Sequence, residues 1–293
     1  MSTVTVAKKD FKAARRSRLL WAAAVLLGLI AAFVGYVSGD ASGTDAEQVR
    51  SLFRALTLIL GILLPIVALV ASYLAIAGER EGGGIKFLLS LPNTRRDVFV
   101  GKLLSRNGIV AGGVGFMYVA AVSTALTRHG AFPAGVVFGT LLVTLVYGST
   151  FVSVALAMSS AAASRSRAIA GAFGTYFLLV ILYVFPVVQV SRIARWVHTT
   201  VLGADPNPDL YNAVQYTSPY LGYRKAVNLV LPADMRQVVF VSSVPDEVSY
   251  GSAEANEALP LYLQDEFSVV VLAVWLVGPL LIGYLLFRRA DLE

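Results

Sequence analysis

"LTLILGILLPIVALVASYLAIA", residues 56–77, is an apolar run of 22 residues that contains no charged side chain. Coiled as an α-helix, a segment of this length rises about 33 Å, at about 1.5 Å per residue. The hydrocarbon core of a bilayer is about 30 Å thick. The run therefore predicts a helix that crosses a membrane.

Five further segments resemble this one in length and composition. None of the six contains Asp, Glu, Lys, Arg or His. The whole chain is 57% hydrophobic and 14% charged, with a mean hydropathy of +0.70, whereas about a quarter of the residues in a soluble domain are charged. A soluble core of such helices would need polar amphipathic partners, which the sequence does not supply. We predict an all-α membrane protein with six transmembrane helices, at residues 19–37, 56–77, 109–126, 134–158, 168–190 and 269–287.

The first apolar segment has a second interpretation. It follows a basic stretch and precedes the small residues "VSGDASGTDA", as a cleaved signal peptide does. The apolar region of a signal peptide is usually about 7–15 residues long, and residues 19–37 exceed that length. A retained membrane anchor is the favoured interpretation.

The distribution of Lys and Arg predicts the orientation. Sixteen of them lie in the amino-terminal segment 1–18, the connection 78–108, the turn after the fourth span and the tail, whereas the short connections on the other side hold three. Because positive charge stays cytoplasmic, both termini are expected inside the cell. The net charge of +6 is then a topology signal that also attracts anionic lipid, and it does not indicate a nucleic-acid partner.

The connection 191–267 is the one long segment on the outer side. "RIARWVHTTVLG", residues 192–203, is typical of a helix at the membrane interface, where Arg and Trp are common. "SPYLGYRKAVNLVLP", residues 218–232, is bounded by prolines and predicts a second short helix. We expect a small extracytoplasmic cap between spans five and six, and no separate catalytic domain.

The sequence contains none of the catalytic, metal-binding or nucleotide-binding motifs that we sought. There is no cysteine, the two histidines, His129 and His198, have no second ligand at metal spacing, and neither H-E-x-x-H nor G-x-S-x-G occurs. The nearest match to the phosphate loop G-x-x-x-x-G-K-[ST] is "EREGGGIK", in which the spacing is wrong and Phe87 follows the lysine. We therefore expect no ATP hydrolysis, no metal and no cofactor on this chain.

The uncharged spans also bear on function. Ion-coupled carriers usually keep a charged residue or histidine within the membrane despite its cost, so the energy for any transport is expected to enter from another protein. Gly108 and Gly112 are four residues apart, as are Ala111 and Gly115, and Gly135 and Gly139, and this spacing of small residues predicts close packing between helices. Two alternatives to transport stay open: a scaffold or sensor, and a membrane enzyme that uses the outer loop. The nearest candidates for catalytic residues of such an enzyme are Asp265 and Glu266, which are more simply a solvated flank of span six.

The segment after residues 56–77 is "GEREGGGIKFLLSLPNTRRDVFVGK", residues 78–102. Charged residues are followed by Gly82–Gly84, which break the helix and allow a sharp reversal. Ile85, Leu88 and Leu89 then share one face at helical spacing, and Pro92 ends this short helix. Its apolar face would lie either in lipid or in a groove of a cytoplasmic partner.

A new helix is expected to begin immediately after this proline. Thr94 followed by Asp97 resembles a capping box, in which two side chains satisfy the free backbone groups of the first turn. This helix would continue through Gly101 and Lys102 into span three.

Taken together, residues 78–102 resemble the coupling segment of ABC-2-type transporter permeases. That pattern is roughly E-R-E-x-G-T, then L-L-x-x-P, S/T-R-R and G-K, and Gly84 stands where the family often has threonine. The matching or neighbouring positions, which we take as candidate site residues, are Glu79, Arg80, Glu81, Gly83, Ile85, Leu88, Leu89, Pro92, Arg95, Arg96, Gly101 and Lys102. "VAKKDFKAARRSRLLW" resembles the family's amino-terminal elbow helix, so that residues 1–293 would form one ABC-2-type transmembrane domain. The likeness is greatest to the branch that includes the nitrous-oxide-reductase maturation permease.

This resemblance implies a machine made of several subunits. Two permease subunits, identical or different, would pair in the cell membrane, and separate ABC ATPase subunits would dock on the coupling segment. ATP and Mg²⁺ would bind to the ATPase. The short helix would carry the movement of the ATPase into the spans. Glu79 and Glu81 would pair with basic residues. Arg95 and Arg96 would contact the ATPase or lipid phosphates, or would serve only as topology signals. Export is expected by analogy with the family.

Overall fold

The computed structural model describes residues 3–38, 45–85, 94–129, 133–184, 190–236, 256 and 259–290. Within these ranges every regular element is helical, which confirms the all-α prediction. Six of the helices in these ranges are long and apolar enough to cross a membrane, also as predicted. They are α2 (Arg18–Val37), α3 (Asp45–Ser72), α5 (Arg95–His129), α6 (Ala134–Ala161), α7 (Arg165–Tyr176) with its continuation to Val184, and α11 (Phe267–Arg289).

The shorter helices of the described residues lie before and between these six. The continuation of α7 is a π-helical turn, Phe177–Ile181, and a last turn, Leu182–Val184. The short helices are α1 (Thr3–Ala14), α4 (Ala77–Glu81), α8 (Val190–Trp196) with π-helical Val197–Val201, α9 (Pro208–Tyr216) and α10 (Pro219–Asn228). The predicted cap segment 192–203 thus covers most of α8, and the segment 218–232 contains α10.

The long helices expose large apolar side chains on their outer faces. Phe33, Phe173 and Val274 are each more than 60% exposed. In water such a surface would be an aggregation hazard, whereas in a bilayer it faces acyl chains, and the backbone polar groups of each helix are satisfied internally. The protein is therefore a multi-pass membrane protein.

Close packing occurs at one glycine of the predicted pairs and at other glycines. A Cβ on Gly139 of α6 would lie 2.9 Å from Cβ of Val230, which follows α10. A Cβ on Gly35 of α2 would lie 2.3 Å from the carbonyl oxygen of Ala121 in α5, and one on Gly283 of α11 would lie 2.8 Å from Cα of Ala157 in α6. A Cβ on Gly112, by contrast, would meet open space. The missing side chains thus allow α2 to contact α5, and α11 to contact α6, at backbone distance.

The short helix α10 is inserted into the bundle, and all ten of its residues are buried. The ring of Tyr223 stacks on Tyr147 of α6 at 4.2 Å between centroids. The hydroxyl of Thr144 lies 3.0 Å from the hydroxyls of both Tyr118 and Tyr223. The stacked aromatic rings and the hydrogen bonds between these hydroxyls hold α10 between the spans, at the end of the bundle opposite the termini.

A buried ion pair ties α10 to the start of α11 and corrects one expectation. Asp265 is 8% exposed, and not a solvated flank. Its carboxylate lies 3.8 Å from Nζ of Lys225 and accepts a hydrogen bond from Asn228, while Lys225 also donates to the carbonyl of Leu263. Burial lowers the pKa of Lys225 and raises that of Asp265, and each partner offsets the other's desolvation. Asp265 is thus engaged in the fold, so one of the two nearest enzyme candidates has a structural role.

Candidate coupling site

Most of the predicted site residues that the structure describes converge at one end of the bundle. We call this the basic end; it comprises α1, the turn and helix at residues 73–85, the first turns of α5 and α7, and the last turns of α6 and α11. Leu88, Leu89 and Pro92 lie outside the described residues. Arg96 is exposed and Arg80 is half-buried at the same end.

Lys102 is the centre of a buried charge network. Its side chain is 1% exposed, and its Nζ lies 2.9 Å from Oε1 of Glu79 and 3.5 Å from Oδ1 of Asp10. Arg106 contacts the same Asp10 oxygen at 3.0 Å and donates to the carbonyl of Ala71 at 2.7 Å. A buried ammonium needs such partners, because its desolvation is costly. Three elements, α1, α4 and α5, are therefore joined through one lysine.

Gly101 allows α1 to lie directly on α5. A Cβ at this position would come within 2.8 Å of Cβ of Val6 and 3.0 Å of the carbonyl oxygen of Thr3. The hydroxyl of Thr3 donates to Oδ1 of Asp97 at 2.6 Å. A larger residue at 101 would displace α1 from this contact.

The start of α5 is the predicted capping box. The hydroxyl of Thr94 accepts a hydrogen bond from the backbone N–H of Asp97, and the Asp97 carboxylate accepts from the backbone N–H of Thr94. These reciprocal bonds satisfy two backbone donors that the helix itself leaves free. The entry of residues 78–102 into α5 is thereby fixed.

Glu81 connects α4 to the first turn of α7. Its Oε2 accepts a hydrogen bond of 2.6 Å from the backbone N–H of Arg165, at a helix N-terminus where negative charge is favourable. The chain then reverses at Gly83, whose φ of 72° lies in the left-handed region that favours glycine. Gly84 and Ile85 are helical again, and Ile85 is 1% exposed. Ile85 therefore packs in the core of this chain, and not on a face open to lipid or a partner as its spacing with Leu88 and Leu89 predicted.

Arg95 closes the opposite side of the site by capping the last helix. Its Nη1 lies 2.9, 2.8 and 2.8 Å from the carbonyl oxygens of Phe287, Arg288 and Ala290. The carbonyls at a helix C-terminus have no partner within the helix and favour positive charge. Within the described residues, Arg95 therefore fastens α5 to α11, a role that the sequence did not suggest.

Ser159 of α6 supports the start of α4. Its hydroxyl accepts hydrogen bonds of 3.0 Å from the backbone N–H groups of both Ile76 and Ala77, and its side chain is fully buried. These two donors follow the break after Ser72 that ends α3. The serine therefore satisfies the buried backbone donors that the end of α3 would otherwise leave without hydrogen bonds.

We expect Ser159→Ala to lower the free energy of unfolding by about 1–3 kcal/mol, because it leaves buried backbone donors unsatisfied. The matched control is Ser160→Ala, since that hydroxyl donates only to the Leu156 carbonyl of its own helix, and its loss should cost less than about 1 kcal/mol. Unfolding by titration with dodecyl sulfate in mixed micelles measures both. Equal costs would contradict the role given to Ser159.

Sequence analysis did not single out four residues of the site. Asp10, Arg106, Ser159 and Arg165 act through partners that are 35 to 96 positions away along the chain. A lone acidic residue in the basic stretch 1–18 was the one available clue, and it pointed to Asp10. Among the described residues, no three His, Asp or Glu side chains come together in a way that could hold a metal ion.

Comparison with known proteins agrees with this architecture. The family described as "ABC-2 family transporter protein" matches residues 4–292. A probable ABC transporter permease protein NosY of Pseudomonas aeruginosa is 31% identical over 186 residues, covering 61% of this chain and 67% of that protein. The protein of the same name from Stutzerimonas stutzeri is 28% identical over 298 residues, covering 97% of each chain. The chain thus belongs to the ABC-2 family of transporter proteins and is a membrane permease subunit of an ABC transporter.

Proposed function

We propose that this chain forms the membrane pathway of an exporter and is driven by a separate ABC ATPase that docks at the basic end. The observation that carries this proposal is the junction around Lys102, where the segment entering α5 is bonded to α1 and α4. The bonds of Glu81 and Arg95 extend the connection to α7 and α11. A displacement of residues 85–91 by the ATPase would therefore be transmitted to several transmembrane helices together.

The proposed division of labour follows from the chemistry of the chain. The sequence carries no phosphate loop, so ATP and Mg²⁺ would bind to the ATPase, and this chain would hold no cofactor and catalyse no reaction. Closure of the ATPase on ATP would move the short helix that contains Leu88 and Leu89. Lys102 and its partners would transmit that movement because a buried ionic junction resists separation.

A second permease subunit, identical or different, would complete the pathway. The exposed apolar faces of α7 and α11 leave room for such a neighbour, although lipid would cover them equally well. Outward transport is proposed from the family alone.

The test is to express the chain with candidate ABC ATPases, purify it by an affinity tag and measure ATP hydrolysis and transport with a panel of lipids and drugs. We expect one ATPase to co-purify, and transport to need both proteins and ATP. Full transport by the chain alone would contradict the proposal.

The proposed orientation has a separate test that uses the absence of cysteine from the sequence. Arg96→Cys and Asp205→Cys each place a single thiol at an exposed position, at opposite ends of the bundle. In intact cells, a membrane-impermeant maleimide should label Cys at 205 and label Cys at 96 only after permeabilisation, because Lys- and Arg-rich segments stay cytoplasmic. The reverse pattern would contradict cytoplasmic termini.

A further inference from the structure

We propose that an anionic phospholipid binds in a cleft between α1, α2, α3 and α5, with an acyl chain inside the cleft and its phosphate beside Arg15. The cleft has a volume of about 350 Å³. The parts of the lining that matter here are Arg15 at the end of α1, Trp21 on α2, Leu64 on α3, and Gly112, Gly113 and Met117 on α5.

The floor of the cleft is shaped by two glycines. A Cβ built on Gly112 or on Gly113 would meet no atom within 4 Å. The lining on α5 runs from Gly108 to Met117, which is a distance of about 13 Å at 1.5 Å per residue. The cleft is therefore an elongated groove along the helix, a shape that suits an extended hydrocarbon chain.

The mouth of the cleft is fixed by the turn that joins α1 to α2. The indole N–H of Trp21 donates a hydrogen bond of 2.8 Å to the carbonyl oxygen of Arg15, and the ring is 57% exposed. The ring of Phe11 lies over Gly108 at the same level. Tryptophan and arginine are side chains that proteins place at the depth of lipid headgroups. The mouth thus has the composition of a headgroup site above an apolar groove.

The positive charge at the mouth of the cleft favours an anionic lipid as the molecule that binds there. Among the described residues that line the cleft, Arg15 is the one that carries a charge. The surrounding surface is also basic and exposed, with Lys8, Lys12, Arg16 and Arg18. A second copy of this chain would bring its own basic end toward this surface and would be repelled, whereas an anionic lipid satisfies both the apolar groove and the positive rim.

Fluorescence quenching by brominated lipid tests the proposal directly, because Trp21 lines the cleft. The other two tryptophans, Trp196 and Trp275, are first replaced by phenylalanine. The full chain is then placed in phosphatidylcholine vesicles that contain a minor fraction of either dibrominated phosphatidylglycerol or dibrominated phosphatidylcholine. We expect the anionic lipid to quench Trp21 well beyond its share of the bilayer, and the zwitterionic lipid to quench in proportion to its share.

Two pairs of variants make the result specific. Arg15→Gln should reduce the preference for the anionic lipid about fivefold, the usual contribution of one basic residue near an anionic surface, whereas Arg16→Gln, whose side chain is exposed outside the cleft, should change it less. Gly112→Leu fills the groove and should remove the excess quenching. Gly115→Leu is its control, because Gly115 also faces open space but does not line the cleft.

Three results would overturn the proposal. Equal quenching by the two lipids would remove the charge selection, and equal effects of Arg15→Gln and Arg16→Gln would reduce it to a diffuse surface attraction. Absence of quenching by either lipid would mean that protein covers the cleft. The measurement needs no ATPase, so its outcome is separate from that of the proposed function.

Discussion

Replacing Lys102 by methionine is expected to lower the free energy of unfolding by about 3–5 kcal/mol, the cost of removing one partner from a buried ion pair. Methionine keeps most of the side-chain volume but leaves the carboxylates of Asp10 and Glu79 without their shared ammonium. Asp10 retains Arg106, which places the expected loss toward the lower end of this range. Titration with dodecyl sulfate in mixed micelles measures the loss.

Lys8→Met is the matched control for this substitution. Lys8 lies on α1, at the same end of the protein, and its side chain is exposed, so its loss should change stability by less than about 0.5 kcal/mol. If both variants unfold alike, Lys102 does not join α1, α4 and α5, and the proposed route from the coupling segment to the spans is wrong.

Leu88→Asp is expected to abolish coupling while the permease stays folded. Leu88 belongs to the apolar face that we propose as the docking surface for the ATPase, and an apolar anchor of an interface contributes at least about 2 kcal/mol. Binding of the ATPase should therefore weaken at least about thirtyfold. Co-purification and ATP-dependent transport measure the effect.

The control for this variant is Leu261→Asp, which makes the same chemical change at an exposed leucine near the start of α11, the end of the bundle opposite the basic end. It should leave ATPase binding intact. Unchanged ATPase binding and transport in Leu88→Asp would mean that the face carrying Leu88 does not dock the ATPase.

The six long helices could be predicted because each follows from local composition. An uncharged run such as residues 56–77 has few stable alternatives in a bilayer. Its exact bounds could not be predicted, since α3 begins at Asp45 and ends at Ser72. That end depends on Ser159 of another helix, which satisfies the backbone donors after the break.

The partners of the charged residues were harder to predict because they are distant in the sequence. Asp265 was expected with Glu266 to form a solvated flank of span six, yet Lys225 and Asn228 bind it inside the protein. Arg95 suggested a partner protein or lipid, and it caps the carbonyls of α11 instead. In both cases the composition of the neighbours was a poor guide, because tertiary contacts decide which groups a charged side chain meets.

The coupling segment illustrates what pattern and structure each contribute. The capping box of Thr94 and Asp97 was predictable because its bonds are local. Pairing of Glu79 and Glu81 with basic residues was predicted, but Lys102 and Arg165 could not be assigned as the partners from spacing alone. The docking surface at Leu88 and Leu89 stays a prediction.

Cross-linking from residue 88 is the most direct test of the central claim, that a separate ATPase drives this membrane subunit through the segment between α4 and α5. Because the sequence contains no cysteine, Leu88→Cys provides a unique thiol, and Leu261→Cys provides its control. With a short thiol-reactive cross-linker in native membranes, we predict a product of the permease with an ABC ATPase from position 88 and none from position 261. Labelling of position 88 from outside the cell, or no ATPase product in membranes that carry out ATP-dependent transport, would contradict the account.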